Sequence, residues 1–135
     1  MTLSIKLPRI AVVVLALCLN QAFAQTDKVY DYVSVETPPS YPGGIAKFYE
    51  FLGSTIKYPK EAASAKKEGT LHLSFVVEKD GTLTNIKNAG RELGDGLDEE
   101  GIRALNLSRS WNPGIIGGKP VRVKYSLPIK FTTKK

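Results

Sequence analysis

The 135-residue chain predicts an α+β domain, a three-stranded antiparallel sheet packed against two or three helices. Three observations carry this. Residues 71–77 and 121–131 alternate apolar with mostly polar side chains, the pattern of strands with one buried face. Asp80-Gly81 follows the first of these and precedes a short return strand, which is a hairpin signal. Stretches 45–56 and 95–110 space their apolar residues as helices do. The length accommodates one domain, and a hydrophobic share of 42% suffices for one modest core.

The first residues read as an export signal. Lys6 and Arg9 precede an apolar run at 10–19, and Ala22-Phe23-Ala24 puts small residues where a signal peptidase reads. A signal peptide over residues 1–24, cut before Gln25, is therefore expected. The apolar run is about ten residues, whereas a membrane-spanning helix takes about 20. The alternative is retention of this segment as an inner-membrane anchor, with the domain facing the periplasm. A lipoprotein signal is disfavoured because Leu17, not a small residue, precedes Cys18. Cleavage removes Cys18, the only cysteine, and with it any disulfide or thiol chemistry. It also removes two of 19 basic residues, leaving about +4 against 13 acids. Such an excess favours an acidic partner or anionic surface and does not by itself argue for nucleic acid.

Residues 25–40 form an arm. Positions 29–35 have strand-like composition, and Pro38-Pro39 stops regular structure. Tyr41-Pro42-Gly43-Gly44 is a turn, followed by a helix carrying Ala46, Phe48, Phe51, Leu52 and Ile56. Tyr58-Pro59 ends that helix, since the residue before proline is pushed out of the helical region. Pro59 suits the first position of a second, short helix running towards Lys67. A strand opens at Gly69, with Leu71, Leu73, Phe75 and Val77 on its buried face. Asp80-Gly81 then predicts a type I′ turn, and residues 82–87 the return strand.

A helix is expected over 95–110, with Asp95, Asp98, Glu99 and Glu100 where carboxylates oppose the helix dipole. Arg103 and Arg109 lie further along it. Ile102 with Leu105, and Leu107 with Trp111, supply its apolar side. Gly101 costs roughly 1 kcal/mol relative to alanine inside a helix, so something is expected to pack closely against it. Trp111-Asn112-Pro113-Gly114 and Gly117-Gly118 mark turns. In the last strand Val121, Val123, Tyr125, Leu127, Ile129 and Phe131 face one way. Arg122, Lys124, Ser126, Pro128 and Lys130 face the other. Pro128 cannot donate to a ladder and Lys124 and Lys130 guard an edge, so this strand is expected at a sheet edge. Connection rules return it beside the first hairpin strand.

Few residues offer catalytic or metal chemistry. His72 is the only histidine, and alternation points it to solvent beside Ser74. One histidine without cysteine builds neither a His-rich zinc site nor a Cys/His pair, and no nucleophile elbow is present. The acids at 95–100 lack calcium-loop spacing. Gly117-Gly118-Lys119-Pro120 lacks the earlier glycine and following hydroxyl of a phosphate loop. Lys57, Lys60, Lys66 and Lys67 read as a solvated surface, since nucleic-acid binding asks for a recognised module or aromatics interleaved among the basic residues. No enzyme activity, cofactor, metal, nucleic acid or small-molecule substrate is expected. What remains is an edge whose free backbone groups suit an extended peptide.

Several motifs together resemble the TonB C-terminal domain family in its Bacteroidetes form. They are Tyr41-Pro42-Gly43-Gly44, Tyr58-Pro59 with Glu61-Ala62, Glu68-Gly69, and Phe75-Val76-Val77-Glu78-Lys79-Asp80-Gly81. Leu97-Asp98-Glu99-Glu100, Trp111-Asn112-Pro113-Gly114, Gly118-Lys119-Pro120-Val121 and the segment 125–131 complete the pattern. The resemblance covers residues 41–131, and places the domain boundary near 41, with 41–135 as the domain. It implies a non-enzymatic periplasmic module that contacts TonB-dependent outer-membrane transporters, with an inner-membrane energising complex as a further candidate partner. It also implies that the last strand pairs with a transporter's short N-terminal TonB box. Carried over, the partner-binding candidates are Lys57, Tyr58 and Pro59 with Val121, Arg122, Val123, Lys124, Tyr125, Ser126, Leu127, Pro128 and Ile129. Trp111 and Tyr125 are assigned to the core. Where the family's energy transducers carry a long spacer, only the arm at 25–40 is expected here between the signal segment and the domain. An arm of this length reaches about 55 Å even fully extended, so an unanchored form does not pull on a transporter alone.

Overall fold

The computed structural model describes residues 28–133. The expected signal segment at 1–24 lies outside them. In chain order the elements are β1 (Val29–Asp31), a 3-10 turn (Tyr32–Ser34), α1 (Ile45–Thr55), α2 (Lys60–Ser64), β2 (Gly69–Val77), β3 (Leu83–Asn88), α3 (Leu97–Leu107), β4 (Gly114–Ile116) and β5 (Lys119–Phe131). The sheet runs β1-β5-β2-β3, with β4 paired to the start of β5.

The α+β class and its antiparallel three-stranded unit are present. Strand β5 lies beside β2, in register from Gly69 opposite Phe131 to Val77 opposite Val123. Strand β3 flanks β2 on the other side. Two strand pairings were not expected. Val29, Tyr30 and Asp31 pair in parallel with Arg122, Val123 and Lys124, and Gly114–Ile116 folds back on β5 across Gly117-Gly118. So β5 is not an edge along its whole length. Pro128 removes one donor at its own position only, so β1 can still pair with Lys124 four residues earlier.

The rest of the arm is also tied down. Thr37 exchanges two backbone hydrogen bonds with Ile115, and Ser40 does so with Asn112, at 2.7–3.1 Å.

The core forms where the apolar faces meet. Leu71, Leu73, Phe75 and Val77 of β2 pack with Leu127, Ile129 and Phe131 of β5. Phe48 and Leu52 of α1, Leu97, Ala104 and Leu105 of α3, and Trp111 close over them. Gly101 earns its place: a Cβ there would lie 2.3 Å from Leu71 Cδ2. Ser74 and Val76, expected on the wet face, are buried. In a central strand they sit between Ser126 and Lys87, and between Lys124 and Thr84. His72 is exposed, as its alternation implied.

Several boundaries shift for local reasons. Helix α1 stops at Thr55, because Ile56 is already extended while its N–H still reaches the Leu52 carbonyl. Pro59 caps α2 from outside, at ψ 142°. That helix ends at Ser64, where Lys67 N–H closes onto the Ala62 carbonyl and Lys66 turns to φ 53°. Asp95 and Gly96 are both left-handed, at φ 53° and 85°, so α3 begins only at Leu97. It ends at Leu107, which is exposed rather than paired with Trp111. Arg109 lies beyond it.

The hairpin turn is not type I′, since Gly81 alone in it has positive φ. Gly81 N–H donates to Glu78 carbonyl, and Glu78 N–H to Thr82 carbonyl, the form of a longer loop with a left-handed glycine. Gly81 also accepts the Trp111 N–H, and a Cβ there would meet the Trp111 carbonyl at 2.2 Å.

Candidate functional site

The direction of the backbone along β5 follows from one hydrogen bond. Ala89 N–H donates to the His72 carbonyl at 2.8 Å, so His72 turns its backbone towards the β3 side. Its opposite number Pro128 therefore belongs to a non-hydrogen-bonded pair, because pairs alternate along an antiparallel ladder. Arg122, Lys124, Ser126, Pro128 and Lys130 thus all aim their backbone groups away from β2. Of these, Arg122 and Lys124 meet β1. The proline's missing donor faces outward, and its carbonyl accepts the Tyr49 hydroxyl at 3.1 Å. Ser126 and Lys130 flank it on the stretch past β1.

Beside this stretch an open groove of about 250 Å³ separates α1 from the end of β5. Tyr49, Leu52, Ile56, Tyr58, Ile129 and Phe131 line it. Tyr58 lies edge-on to Phe131, with ring centroids 6.0 Å apart, and its hydroxyl donates to the Lys67 carbonyl. Burial raises the Tyr58 hydroxyl pKa, with a smaller push from Glu68. Lys57 is exposed, but its N–H donates to Glu100 Oε2 at 2.6 Å. Glu100 also holds Arg103 at 2.7 Å, and that bond first, then the Lys57 N–H, lowers its pKa. The segment 57–59 is thus fixed against α3, with Pro59 beside Gly96.

The other end of β5 is electrostatically committed. Arg122 Nε and Nη2 donate to Glu78 Oε1 and Oε2 at 2.7 and 3.1 Å. This fork lowers the Glu78 pKa, helped by the Thr84 hydroxyl. Tyr125 is half-buried against Phe75, Trp111 and Tyr32, with centroids 5.5, 5.8 and 5.1 Å away. Burial raises its pKa, followed by Tyr32 and Tyr49. Trp111 is buried, its Nε1–H on the Ser108 hydroxyl at 3.0 Å.

The structure therefore brings some candidates together and separates others. Tyr58 and Ile129 share one groove, Pro128 meets it through Tyr49, and Ser126 lies on a separate cleft with Tyr32 and Tyr125. Val121 pairs with Gly114 of β4. Arg122, Val123 and Lys124 lie under β1, and Val123 and Leu127 are buried in the core. Lys57 and Pro59 flank Tyr58 in the chain but do not line the groove. Two features escaped the sequence reading: Tyr49, which reaches the edge from α1, and the pairing of β1 with β5. The composition at 29–35 signalled a strand but not its partner.

Among the described residues no cluster of potential metal ligands occurs, and no helix is long and apolar enough to cross a membrane.

Comparison with known proteins gives this geometry a lineage. The family model for the Gram-negative bacterial TonB protein C-terminal matches residues 54–133. Protein TonB of Haemophilus influenzae is 30% identical over 81 residues, 60% of this chain and 28% of that protein. The match thus spans under a third of the relative's length. The solution structure of Helicobacter pylori TonB-CTD (residues 194–285) aligns with TM-score 0.54 at 26% identity, covering 67% of this chain and 95% of that one. A longer fragment of the same domain (residues 179–285) gives TM-score 0.50 at 24% identity, over 67% and 81% of the two chains, and speaks to the fold alone. The chain belongs to the Gram-negative bacterial TonB protein C-terminal family.

Proposed function

We propose that this domain is a non-enzymatic, periplasmic binding module of the TonB system. In this reading it takes the TonB-box peptide of a TonB-dependent outer-membrane transporter as an added strand on β5. The observation that supports it is that Ser126, Pro128 and Lys130 turn their backbone groups away from β2, on the stretch whose end lines the groove with Tyr49, Ile56 and Tyr58. Main-chain hydrogen bonds on such an edge supply affinity, while neighbouring pockets select among side chains. Lys124 and Lys130 are exposed along the same edge and favour a peptide carrying acids. The opposite edge of the sheet, β3, suits an added strand less. Asn85 there is left-handed at φ 53°, and the β2–β3 register slips between Ser74 and Val76.

The reading includes export by the N-terminal signal, with a mature protein from Gln25 consisting of the arm at 25–40 and the domain at 41–135. Titrating a synthetic TonB-box peptide into isotope-labelled protein tests the binding site. New amide protection is expected at Ser126 and Lys130. Protection confined to β3, or to Lys57 and Tyr58, would contradict strand addition at β5.

A further inference from the structure

We infer that the chain's own arm is a competing occupant of the β5 edge, so that a partner strand binds fully only by displacing β1. This rests on the strand-addition reading above. The five outward-facing residues from Arg122 to Lys130 divide unequally. Arg122 and Lys124 are held by β1, and Pro128 offers no N–H and has its carbonyl on Tyr49. Ser126 and Lys130 are left as a short toehold, too few groups for a strand of ordinary length. An incoming peptide gains the rest of the ladder only at the expense of the arm.

The arm is built to yield. Val29 and Asp31 are exposed, Tyr30 is half-buried, and none of the three enters the core. Tyr30, opposite Val123, is the residue whose backbone faces Arg122 and Lys124 across the parallel ladder. Past it the chain leaves the edge through the 3-10 turn at Tyr32–Ser34. Besides the ladder, Tyr32 packs on Tyr125, at 5.1 Å between centroids. An open cleft of about 440 Å³ lies between Tyr32 and Val33 on one side and Tyr125 and Ser126 on the other. A strand extending from the toehold enters that cleft and meets β1 end-on. Behind the turn, Thr37 and Ser40 stay bonded to Ile115 and Asn112, so β1 can lift without unravelling the rest of the arm.

Two full-length variants test this with a fluorescent synthetic TonB-box peptide, read by anisotropy and by amide hydrogen exchange. Tyr30→Pro removes the arm's central donor to β5. Asp31→Cys with Lys124→Cys, in a Cys18→Ser background, joins directly opposed residues and locks the arm down when oxidised. The expected result is tighter binding by Tyr30→Pro, by roughly tenfold if the arm leaves the edge about one time in ten in the parent. The oxidised lock should bind far more weakly than the same protein reduced. Equal affinities across parent, Tyr30→Pro and both redox forms of the lock, with Ser126 and Lys130 protected, would overturn the competition while leaving strand addition intact. Protection away from β5 in every form would overturn both. Should Tyr30→Pro fail to fold, the oxidised and reduced lock decide alone.

Discussion

The Tyr49 hydroxyl donates to the Pro128 carbonyl at 3.1 Å, so a helix residue occupies an outward carbonyl of β5 whose own residue has no N–H. Proline and tyrosine together blunt the middle of an otherwise receptive edge. The bond is exposed, and exposed hydrogen bonds sit at the low end of about 0.5–1.5 kcal/mol net. Tyr49→Phe keeps the ring in the groove and frees the carbonyl. Urea unfolding should therefore show a loss below about 1 kcal/mol, while affinity for an edge-binding peptide holds or rises.

Two helical glycines should respond oppositely to alanine. In α1 a Cβ on Gly53 meets nothing within 4 Å, so the propensity gain is uncompensated and Gly53→Ala should stabilise by up to about 1 kcal/mol. In α3 a Cβ on Gly101 would lie 2.3 Å from Leu71 Cδ2 and 3.7 Å from Phe131 Cζ, both buried. Overpacking typically costs about 1–3 kcal/mol and outweighs the propensity gain. Gly101→Ala should lower the denaturation midpoint and Gly53→Ala raise it.

Asp98 is buried, and its carboxylate accepts from Asn88 Nδ2 at 2.8 Å and from the Leu93 and Gly94 amides at 3.0 and 2.7 Å. It organises the loop before α3 rather than capping its own helix. Asp98→Ala leaves three donors to find other acceptors, at a cost of roughly 2–3 kcal/mol. Thermal melts should show the loss, and hydrogen exchange should quicken first at residues 93–94.

The Glu78 carboxylate is held below its ordinary 4.5 by the Arg122 fork. A group depressed on folding contributes stability that is present above its unfolded value and lost as pH falls through the folded one. The parent should thus lose stability progressively below about pH 4.5. Glu78→Gln should start less stable at neutral pH and show a shallower decline, compared by urea midpoints across pH 3 to 7. A parallel decline in both proteins would remove Glu78 from the account.

Much of the fold was legible because burial writes itself into spacing. The alternation at 71–77 and 121–131 returns as paired strands, and the cost of Gly101 pointed to the close approach of Leu71. What was not legible depended on neighbours distant in sequence. Nothing local to Asp80-Gly81 announces that Trp111 will bond to the turn and select its form. Pro128 marked an edge, but its reach is one residue. The neighbours of Lys124 are decided by three arm residues whose composition suits many partners. The candidate site divides likewise. Tyr58 and Ile129 came from a resemblance and share a groove, whereas Tyr49 stood next to buried Phe48 with no spacing to mark it.

The outward direction of Ser126 gives the central claim its most direct test. Its N–H points away from β2, so Ser126→Pro deletes an edge donor while leaving the β2–β5 ladder intact, as Pro128 already does. With folding verified by circular dichroism, calorimetric titration with a TonB-box peptide should show affinity reduced several-fold, the effect of about one lost hydrogen bond. A folded Ser126→Pro that binds as tightly as the parent, while Lys57→Glu does not, would place recognition at the Tyr58-Pro59 segment and contradict strand addition to β5.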